Sequence, residues 1–410
     1  MIDKKYLFYL NSLDLTGGVK VSLDIINGLL AKGYQVDILL DKSIIKFNIS
    51  ENINIYYDTL LCIEKMDSIN NSLSGETENI TKRKITTLQK AKRLVLRVKA
   101  FKVILIWLRY IMFLLKYPFY YFRIKKFLRK SNYNLIISTN MYNNLEYLFA
   151  LERKKTILVL HNSPKNVYLD RITPHLLPLK YYFNDIECIG VSKEIINEMR
   201  SFINEKRTTL QTIYNPFYIE KIKKLSEEKI EKKYDNVNFF IMVGGLNYRK
   251  RIDRAILAFS KLKDKDIKLI LVGKGEESDY LHKIVLNHKL NKRVLFIGPK
   301  LNPYKYISKS KGLLLTSDSE GLPTVLIESL ICNTAVISTD CPTGPNEILV
   351  GKLSSFLISM NNENQIIDKL VYNINILLKN EIEIKISDYS KFDANNILQQ
   401  WEKTLNEKIT

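Results

Sequence analysis

The sequence predicts an α/β protein of two doubly wound domains, and three observations carry that reading. A strand, a glycine turn and an amphipathic helix open the chain, and the same order recurs from about residue 237. The chain's 410 residues, 46% hydrophobic and 26% charged, are enough for two buried cores.

In order along the chain, residues 6–10 form a short apolar run of the kind that buried parallel strands show. Thr16-Gly17-Gly18 follows, then Val19, Leu23, Ile26, Leu29 and Leu30 at helical spacing, ending at Gly33. Residues 35–40 are the next strand, so the opening is a βαβ unit with parallel pairing. Residues 135–138, 156–160 and 186–191 are further strand candidates. In the second series, residues 239–243 run into Gly244-Gly245, and Ile252, Ile256 and Phe259 mark a helix. Residues 268–272 then run into Gly273-Lys274-Gly275, and residues 294–297, 312–316 and 335–338 add three strands. The expected division is a first domain over 1–215, a second over 216–390 and a closing stretch over 391–410. Within that stretch, residues 394–405, with Trp401, are expected to pack back across the first domain. The charged run 220–235 reads as a solvent-facing connector.

Lys and Arg outnumber Asp and Glu by 63 to 43, a formal charge of +20. Such an excess suggests nucleic acid or an anionic membrane. Its distribution decides between them: residues 82–130 hold sixteen Lys or Arg and no Asp or Glu, leaving about +4 for the rest. Lys102, Arg109, Lys116, Arg123 and Lys130 recur every seven residues, a narrow stripe on a helix, with apolar and aromatic runs between them. A nucleic-acid groove would need exposed cations without that interleaving, so nucleic acid is not an expected partner. Three readings stay open for the segment: a helix lying in an anionic membrane interface, a helix packed into the first domain, and a transmembrane span. Arg109 and Lys116 weigh against a span, as does Pro118, which is expected to interrupt the helix. The four scattered cysteines (Cys62, Cys188, Cys332, Cys341) read as core residues in a reducing compartment, and the short apolar start does not read as a signal peptide. A cytoplasmic protein, peripheral on the inner face of the cell membrane, is expected.

The stretch 317–330, Ser-Asp-Ser-Glu-Gly-Leu-Pro-Thr-Val-Leu-Ile-Glu-Ser-Leu, carries the most chemical information. It follows an apolar strand, and Pro323 suits a first helical position. Free amides at such a helix start favour a phosphate, while Glu320 in the loop and Glu328 in the helix are placed to accept from sugar hydroxyls. Spacing alone equally allows two glutamates that favour a helix N-terminus and bind nothing. Gly17 and Gly18 permit close backbone approach to a phosphate, or only a tight turn. His161 ends an apolar strand, and Arg249-Lys250-Arg251 is a cation cluster or a solvated basic turn.

Glu320 and Glu328, with Gly321, Leu322 and Pro323 between them, resemble the EX7E signature of retaining glycosyltransferase family 4, and the loop 341–348 resembles the version found in members of the bacterial surface-polysaccharide type. The Gly17-Gly18 loop, residues 30–36, Leu160-His161-Asn162-Ser163-Pro164, Val191-Ser192, Asn215-Pro216, Val243-Gly244-Gly245, Leu271-Val272-Gly273 and Phe296-Ile297-Gly298 follow in that family's order. The resemblance implies a GT-B fold, two Rossmann-like domains facing each other across a cleft. It implies that Glu328 holds the nucleotide ribose. Glu320 and the backbone of Gly321, Leu322, Pro323 and Thr324 then face the donor sugar and its phosphate. Arg249 and Lys250 neutralise the diphosphate, Gly17, Gly18 and Gly244 bound the donor, and His161 orients the sugar. Many members carry an arginine where this chain has Gly245, which leaves the charge to Arg249. The loop 341–348 borders donor or acceptor, or is only a rigid turn.

On this resemblance the chain is expected to move a hexose or N-acetylhexosamine from a nucleotide sugar, with UDP as the expected nucleotide. The acceptor is a lipid-linked glycan in lipopolysaccharide, capsule or exopolysaccharide synthesis, and neither metal nor cofactor is expected. The competing readings are a phosphorylase-like enzyme of the same architecture, for which no cofactor lysine is identifiable, and a non-catalytic polysaccharide-assembly protein on a relic fold.

Overall fold

The computed structural model describes residues 4–14, 16–47, 49–59, 62–66, 99–139, 145–169 and 176–409. Two sheets organise them. The first comprises β1 (Lys5–Leu10), β2 (Gln35–Leu40), β3 (Asn54–Asp58), β4 (Ile63–Lys65), β5 (Leu135–Ser138), β6 (Thr156–Leu160), β7 (Glu187–Gly190) and β8 (Leu210–Thr212). Its order is β4-β3-β2-β1-β5-β6-β7-β8, parallel except for the antiparallel β3–β4 pair. The second comprises β9 (Phe239–Val243), β10 (Lys268–Val272), β11 (Val294–Phe296), β12 (Gly312–Leu315), β13 (Val336–Thr339) and β14 (Leu357–Ile358), in the order β11-β10-β9-β12-β13-β14, all parallel. Central strands such as β1, β5 and β12 are apolar because helices cover both faces, and their side chains are almost wholly buried. Each sheet reverses its winding once, between β1 and β5 and between β9 and β12. Crevices at the carboxyl ends of strands beside such a reversal are the usual ligand sites of this architecture.

Helix α1 (Gly17–Ala31) is capped by the Thr16 hydroxyl, buries Leu23, Ile26 and Leu29, and ends at Gly33, whose φ is +88°. Helix α2 is a single 33-residue element, Lys99–Ser131. It continues through Pro118, contrary to the interruption expected there, and aromatic residues on both sides of the proline dock it on the first domain. Tyr120, Ile124 and Leu128 are buried, and the Tyr110 and Tyr117 hydroxyls donate to Glu146. Its partner side chains also claim part of the basic stripe: Arg123 makes a two-pronged contact with Asp58 at the end of β3. The portion of the basic segment over 82–98 lies outside the described residues.

Helix α3 (Lys193–Arg200) follows β7. The run 220–235 is not an exposed connector. It forms α4 (Ile219–Ser226) and a turn at Lys232–Asp235, with Ile219, Ile222, Ile230 and Tyr234 buried. Its abundant charges hide an apolar face. The second domain adds α5 (Ile252–Lys261), α6 (Ser278–Asn287), α7 (Thr324–Ile331) and α8 (Glu363–Lys379). Cys188, Cys332 and Cys341 are buried, but Cys62 is exposed before β4, where its thiol donates to Glu64.

The last helix, α9 (Ala394–Ile409), lies on the first domain. Trp401 and Leu405 are buried, Leu398 covers Gly28 so closely that a Cβ there would sit 2.5 Å from its methyl carbons, and Glu402 receives the Tyr34 hydroxyl and Lys32. Thr404 donates to Gln211 beside β8. The first sheet ends with β8, the second spans β9 to β14, and α9 then packs back on elements of the first. Replacing Trp401 by Ala is expected to cost about 3–5 kcal/mol in urea unfolding, the range for deleting a buried aromatic ring.

Candidate active site

Three loops at the carboxyl ends of β9, β12 and β13 converge on one residue, Glu320, the first two on its carboxylate and the third on its backbone. Lys250 Nζ donates to Oε1 at 2.7 Å, as does Ser317 Oγ at 2.6 Å, and Arg249 Nη1 donates to Oε2 at 2.9 Å. Its backbone is held as well: the amide donates to the Pro342 carbonyl, and the Thr343 hydroxyl donates to the carbonyls of Glu320 and Gly321. Burial opposes the charge of Glu320, but Lys250 and Arg249 outweigh it and hold its pKa at about 2. The carboxylate is ionised throughout the physiological range.

The basic run 249–251 is thus no solvated turn. Arg251 and Arg254 bind Glu363 and Asp253 or Asp318, and Arg254 also donates to the Thr316 carbonyl. Asp318 and Glu320, near neighbours in sequence, are turned onto different cations.

Pro323 takes the capping position rather than the first helical one. Its ψ of 92° is extended, and the helix begins at Thr324. The amides of Gly321, Leu322 and Thr324 have no hydrogen-bond partner among the described residues, while Leu322 and Pro323 are buried. These are the unspent donors that a helix start offers to an anion. Gly244, at the end of β9, has a φ of +147° and lies against the Lys250 side chain.

The first domain closes on this cluster. A Cβ on Gly321 would sit 1.9 Å from the His161 carbonyl oxygen, so only glycine allows the approach. One on Gly18 would meet the His161 ring at 3.9 Å, whereas Gly17 faces open space. Desolvation lowers the His161 pKa to about 4, so the imidazole is neutral at physiological pH and can hydrogen-bond a hydroxyl in either sense. Glu328, in α7, is nearly buried and accepts from Lys20 of α1 at 2.8 Å and from the Tyr304 hydroxyl at 3.1 Å.

A second contact between the domains is reciprocal. Glu347 accepts from the amides of Lys193 and Glu194, and Glu194 accepts from the Gly344 amide and the Asn346 side chain. Each glutamate satisfies donors at the start of the other domain's helix. The loop 341–348 is thereby fixed at both ends, by Glu194 and by Glu320.

The residues expected in the site therefore gather in one place: Gly18 and His161 from one side, and Gly244, Arg249, Lys250, Glu320, Gly321, Leu322, Pro323, Thr324 and Glu328 from the other. Ser317 and Glu347 lie in the two loops picked out in the sequence but without a role, and Lys20, Tyr304 and Glu194 were not singled out. Of these three, Lys20 carries a signal, a lone cation two residues beyond the glycine pair at the start of a helix.

Residues 223–392 match the family model described as "Glycosyl transferases group 1". An uncharacterized glycosyltransferase of Methanocaldococcus jannaschii is 31% identical over 254 residues, 57% of this chain and 62% of that protein's length. A Campylobacter jejuni relative is 30% identical over 268 residues, 62% of this chain and 71% of its own. The chain belongs to the group 1, or family 4, glycosyltransferases. The Campylobacter protein is named N-acetylgalactosamine-N,N'-diacetylbacillosaminyl-diphospho-undecaprenol 4-alpha-N-acetylgalactosaminyltransferase. In fold, this glycosyltransferase is similar to Anabaena HepE in its complex with UDP and glucose, with a TM-score of 0.67 at 16% identity over 98% of this chain and 100% of that one. The fold is GT-B. The matched stretch of the glycosyltransferase contains Gly244 and every site residue from Arg249 to Glu328, while Gly17, Gly18, Lys20 and His161 lie outside it.

In this glycosyltransferase a Gly321→Ala substitution is expected to force the His161 strand end away from the helix start. Closure should fail, seen as a larger radius of gyration by small-angle scattering, with transfer lost and each domain still folded by circular dichroism.

Proposed function

We propose that this chain is a retaining, metal-independent glycosyltransferase that moves a hexose or N-acetylhexosamine from UDP to a lipid-linked glycan acceptor. The product would enter bacterial lipopolysaccharide, capsule or exopolysaccharide synthesis. The observation that carries the proposal is the Glu320 cluster with its neighbouring unspent amides at the β9–β12 reversal. A donor diphosphate docked there meets the Gly321, Leu322 and Thr324 amides and the cations Arg249 and Lys250. Glu328 takes the ribose hydroxyls, and the neutral His161 takes a hydroxyl of the sugar. The names of the Campylobacter relative and the UDP and glucose in HepE support the donor and acceptor classes.

The step breaks the bond between the sugar's anomeric carbon and the phosphate oxygen, and the acceptor hydroxyl bonds to that carbon on the same face. Its proton passes to the departing diphosphate. Charge builds on that leaving group, where Arg249 and Lys250 stabilise it without a metal. Both cations are shared with Glu320 before the donor arrives, so they are already held in place when the charge develops.

Helix α2 supports a membrane setting for the acceptor. Ile104, Leu108, Ile111, Leu115, Phe119 and Phe122 lie on one side of it and are 49–71% exposed, opposite the face docked by Tyr110, Tyr120 and Ile124. The helix is long and apolar enough to cross a bilayer by length and composition. Its docking from Tyr110 to Leu128 and the exposed Arg109 and Lys116 favour a helix lying in the interface instead. Cationic side chains at its carboxyl end, Lys126, Arg129 and Lys130, then meet anionic headgroups.

Purified protein given a panel of nucleotide sugars should hydrolyse a UDP-sugar slowly and be thermally protected by it, with no loss of turnover in EDTA. Glu328→Ala should weaken nucleotide binding, and Lys250→Ala should lower kcat about 100-fold with a smaller change in binding. Normal turnover in both variants would remove the site assignment, and binding without turnover in the wild type would favour a non-catalytic assembly protein. In flotation assays the wild type should bind vesicles containing phosphatidylglycerol better than neutral ones. The pair Leu115→Glu and Phe119→Glu should abolish binding, and indifference to lipid charge would overturn the membrane setting.

A further inference from the structure

Glu328 is served unevenly. Its Oε1 accepts two hydrogen bonds, from Lys20 Nζ at 2.8 Å and from the Tyr304 hydroxyl at 3.1 Å, and Lys20 also donates to that hydroxyl at 2.6 Å. No hydrogen bond among the described residues reaches Oε2, although the side chain is only 10% exposed. Tyr304 belongs to the same domain as Glu328, whereas Lys20 sits on the first turns of α1, across the cleft. Desolvation opposes the charge on Lys20, but Glu328 and Tyr304 outweigh it and raise the pKa of the ammonium above its usual value. The ammonium is thus permanent at physiological pH. Asp24, one turn further along α1, has a pKa raised to about 6 by burial, against the pull of Lys20 and Lys221 and with a push from Glu328.

We propose that Lys20 is a positioning residue that completes the nucleotide site from the opposite domain: it anchors Oε1 of Glu328 and leaves Oε2 for the two ribose hydroxyls. The proposal rests on the reading of Glu328 as the ribose acceptor. A nearly buried carboxylate without its cation keeps the desolvation cost and loses the compensation, so it is no longer held in one orientation. Tyr304 alone holds one oxygen with a neutral donor, which leaves the side chain free to turn. With Lys20 in place, a closed cleft and a correctly aimed carboxylate are the same state. Nucleotide held by the second domain then favours approach of the first, which carries His161 and the acceptor side. Lys20 touches neither the reacting carbon nor the diphosphate in this scheme, and its effect runs through Glu328.

The distinguishing measurement is calorimetric titration of the full chain with UDP and with 2′,3′-dideoxy-UDP, which lacks the hydroxyls that Glu328 would accept. Lys20→Met should weaken UDP binding about tenfold, the loss expected when a charged hydrogen bond to a buried group is removed, yet change dideoxy-UDP binding less than about twofold. Lys20→Arg should restore most of the affinity. Tyr304→Phe, which keeps the ring and its packing, should lose UDP affinity in the same direction by a smaller factor, and it provides the test should Lys20→Met not fold. An equal loss with both nucleotides would overturn the proposal, because Lys20 would then act on the diphosphate or on the fold. Tighter UDP binding by Lys20→Met would also overturn it, because Lys20 would then be a competitor of the ribose. The outcome for Glu328→Ala separates the two levels. If that variant discriminates between the nucleotides and Lys20→Met does not, this inference fails alone. If Glu328→Ala does not discriminate, the ribose reading fails and takes this inference with it.

Discussion

The carboxylate of Glu320 is the joint on which the rest of the site depends. It is nearly buried, and it stays ionised only because Lys250 and Arg249 outweigh the cost of its desolvation. Each partner comes from a different loop: the two cations follow β9, Ser317 follows β12, and Pro342 and Thr343 follow β13. Loops elsewhere in a fold are usually the most mobile parts, but these three are tied to one residue, two through its charge and one through its backbone, and so to one another. Removing either cation would leave a buried charge half compensated, which makes the geometry of the loops and the electrostatics of the site one property. The amides of Gly321, Leu322 and Thr324 are presented at the helix start because the residue before them is fixed in this way.

The coupling extends across the cleft through contacts of different kinds. At Gly321 the approach is steric, the backbone of one domain resting on the His161 carbonyl of the other. Between Glu194 and Glu347 it is an exchange of helix-start donors, and between Lys20 and Glu328 it is ionic. The steric contact sets the distance of closest approach. The two polar contacts set orientation, since each requires particular donors to meet particular oxygens. The returning helix α9 adds a fourth restraint, because its Trp401 is buried and its Leu398 sits over Gly28 of α1, the helix that carries Lys20. Motion of α1 is therefore resisted behind and guided in front.

Much of this was legible in the sequence, for a physical reason. Strands buried on both faces must be continuous apolar runs, and β2, β5, β6, β9 and β10 match the runs read from composition residue for residue. What was missed lies at edges or beside them: β3, one strand in from an edge, is Asn-Ile-Tyr-Tyr-Asp, polar at both ends and with only Ile55 buried. β4 and β8 have three residues and β14 has two, with one face exposed or the ends polar, so they carry no run. α4 was hidden because Ile219 and Ile222 are outnumbered by the charges around them. At the candidate site, the residues that local pattern singles out are brought together: a glycine and proline before a helix, and cations after a strand. The partners of Glu328 were not legible, because Lys20 and Glu328 are 308 positions apart and nothing in either neighbourhood announces the other. Pairing across a cleft is a property of the fold, which local spacing does not encode.

The same limit explains the large positive charge. On the sequence it was one stripe at an interval of seven, yet its members do different work once the helix is placed. Arg123 is spent on Asp58 inside the first domain, while Arg109 and Lys116 stay exposed beside an apolar side that faces away from the sheet. A helix has about 360° to divide, and α2 divides it three ways, between a docked aromatic face, an exposed apolar face and cations on their border. A merely soluble surface helix needs only two of these, a buried face and a polar one. An exposed apolar face bordered by permanent positive charge is stable in a medium that is itself apolar beneath an anionic boundary. On the proposed reading α2 meets such a medium, and its three-way division of faces is what the net charge, taken over the whole chain, conceals.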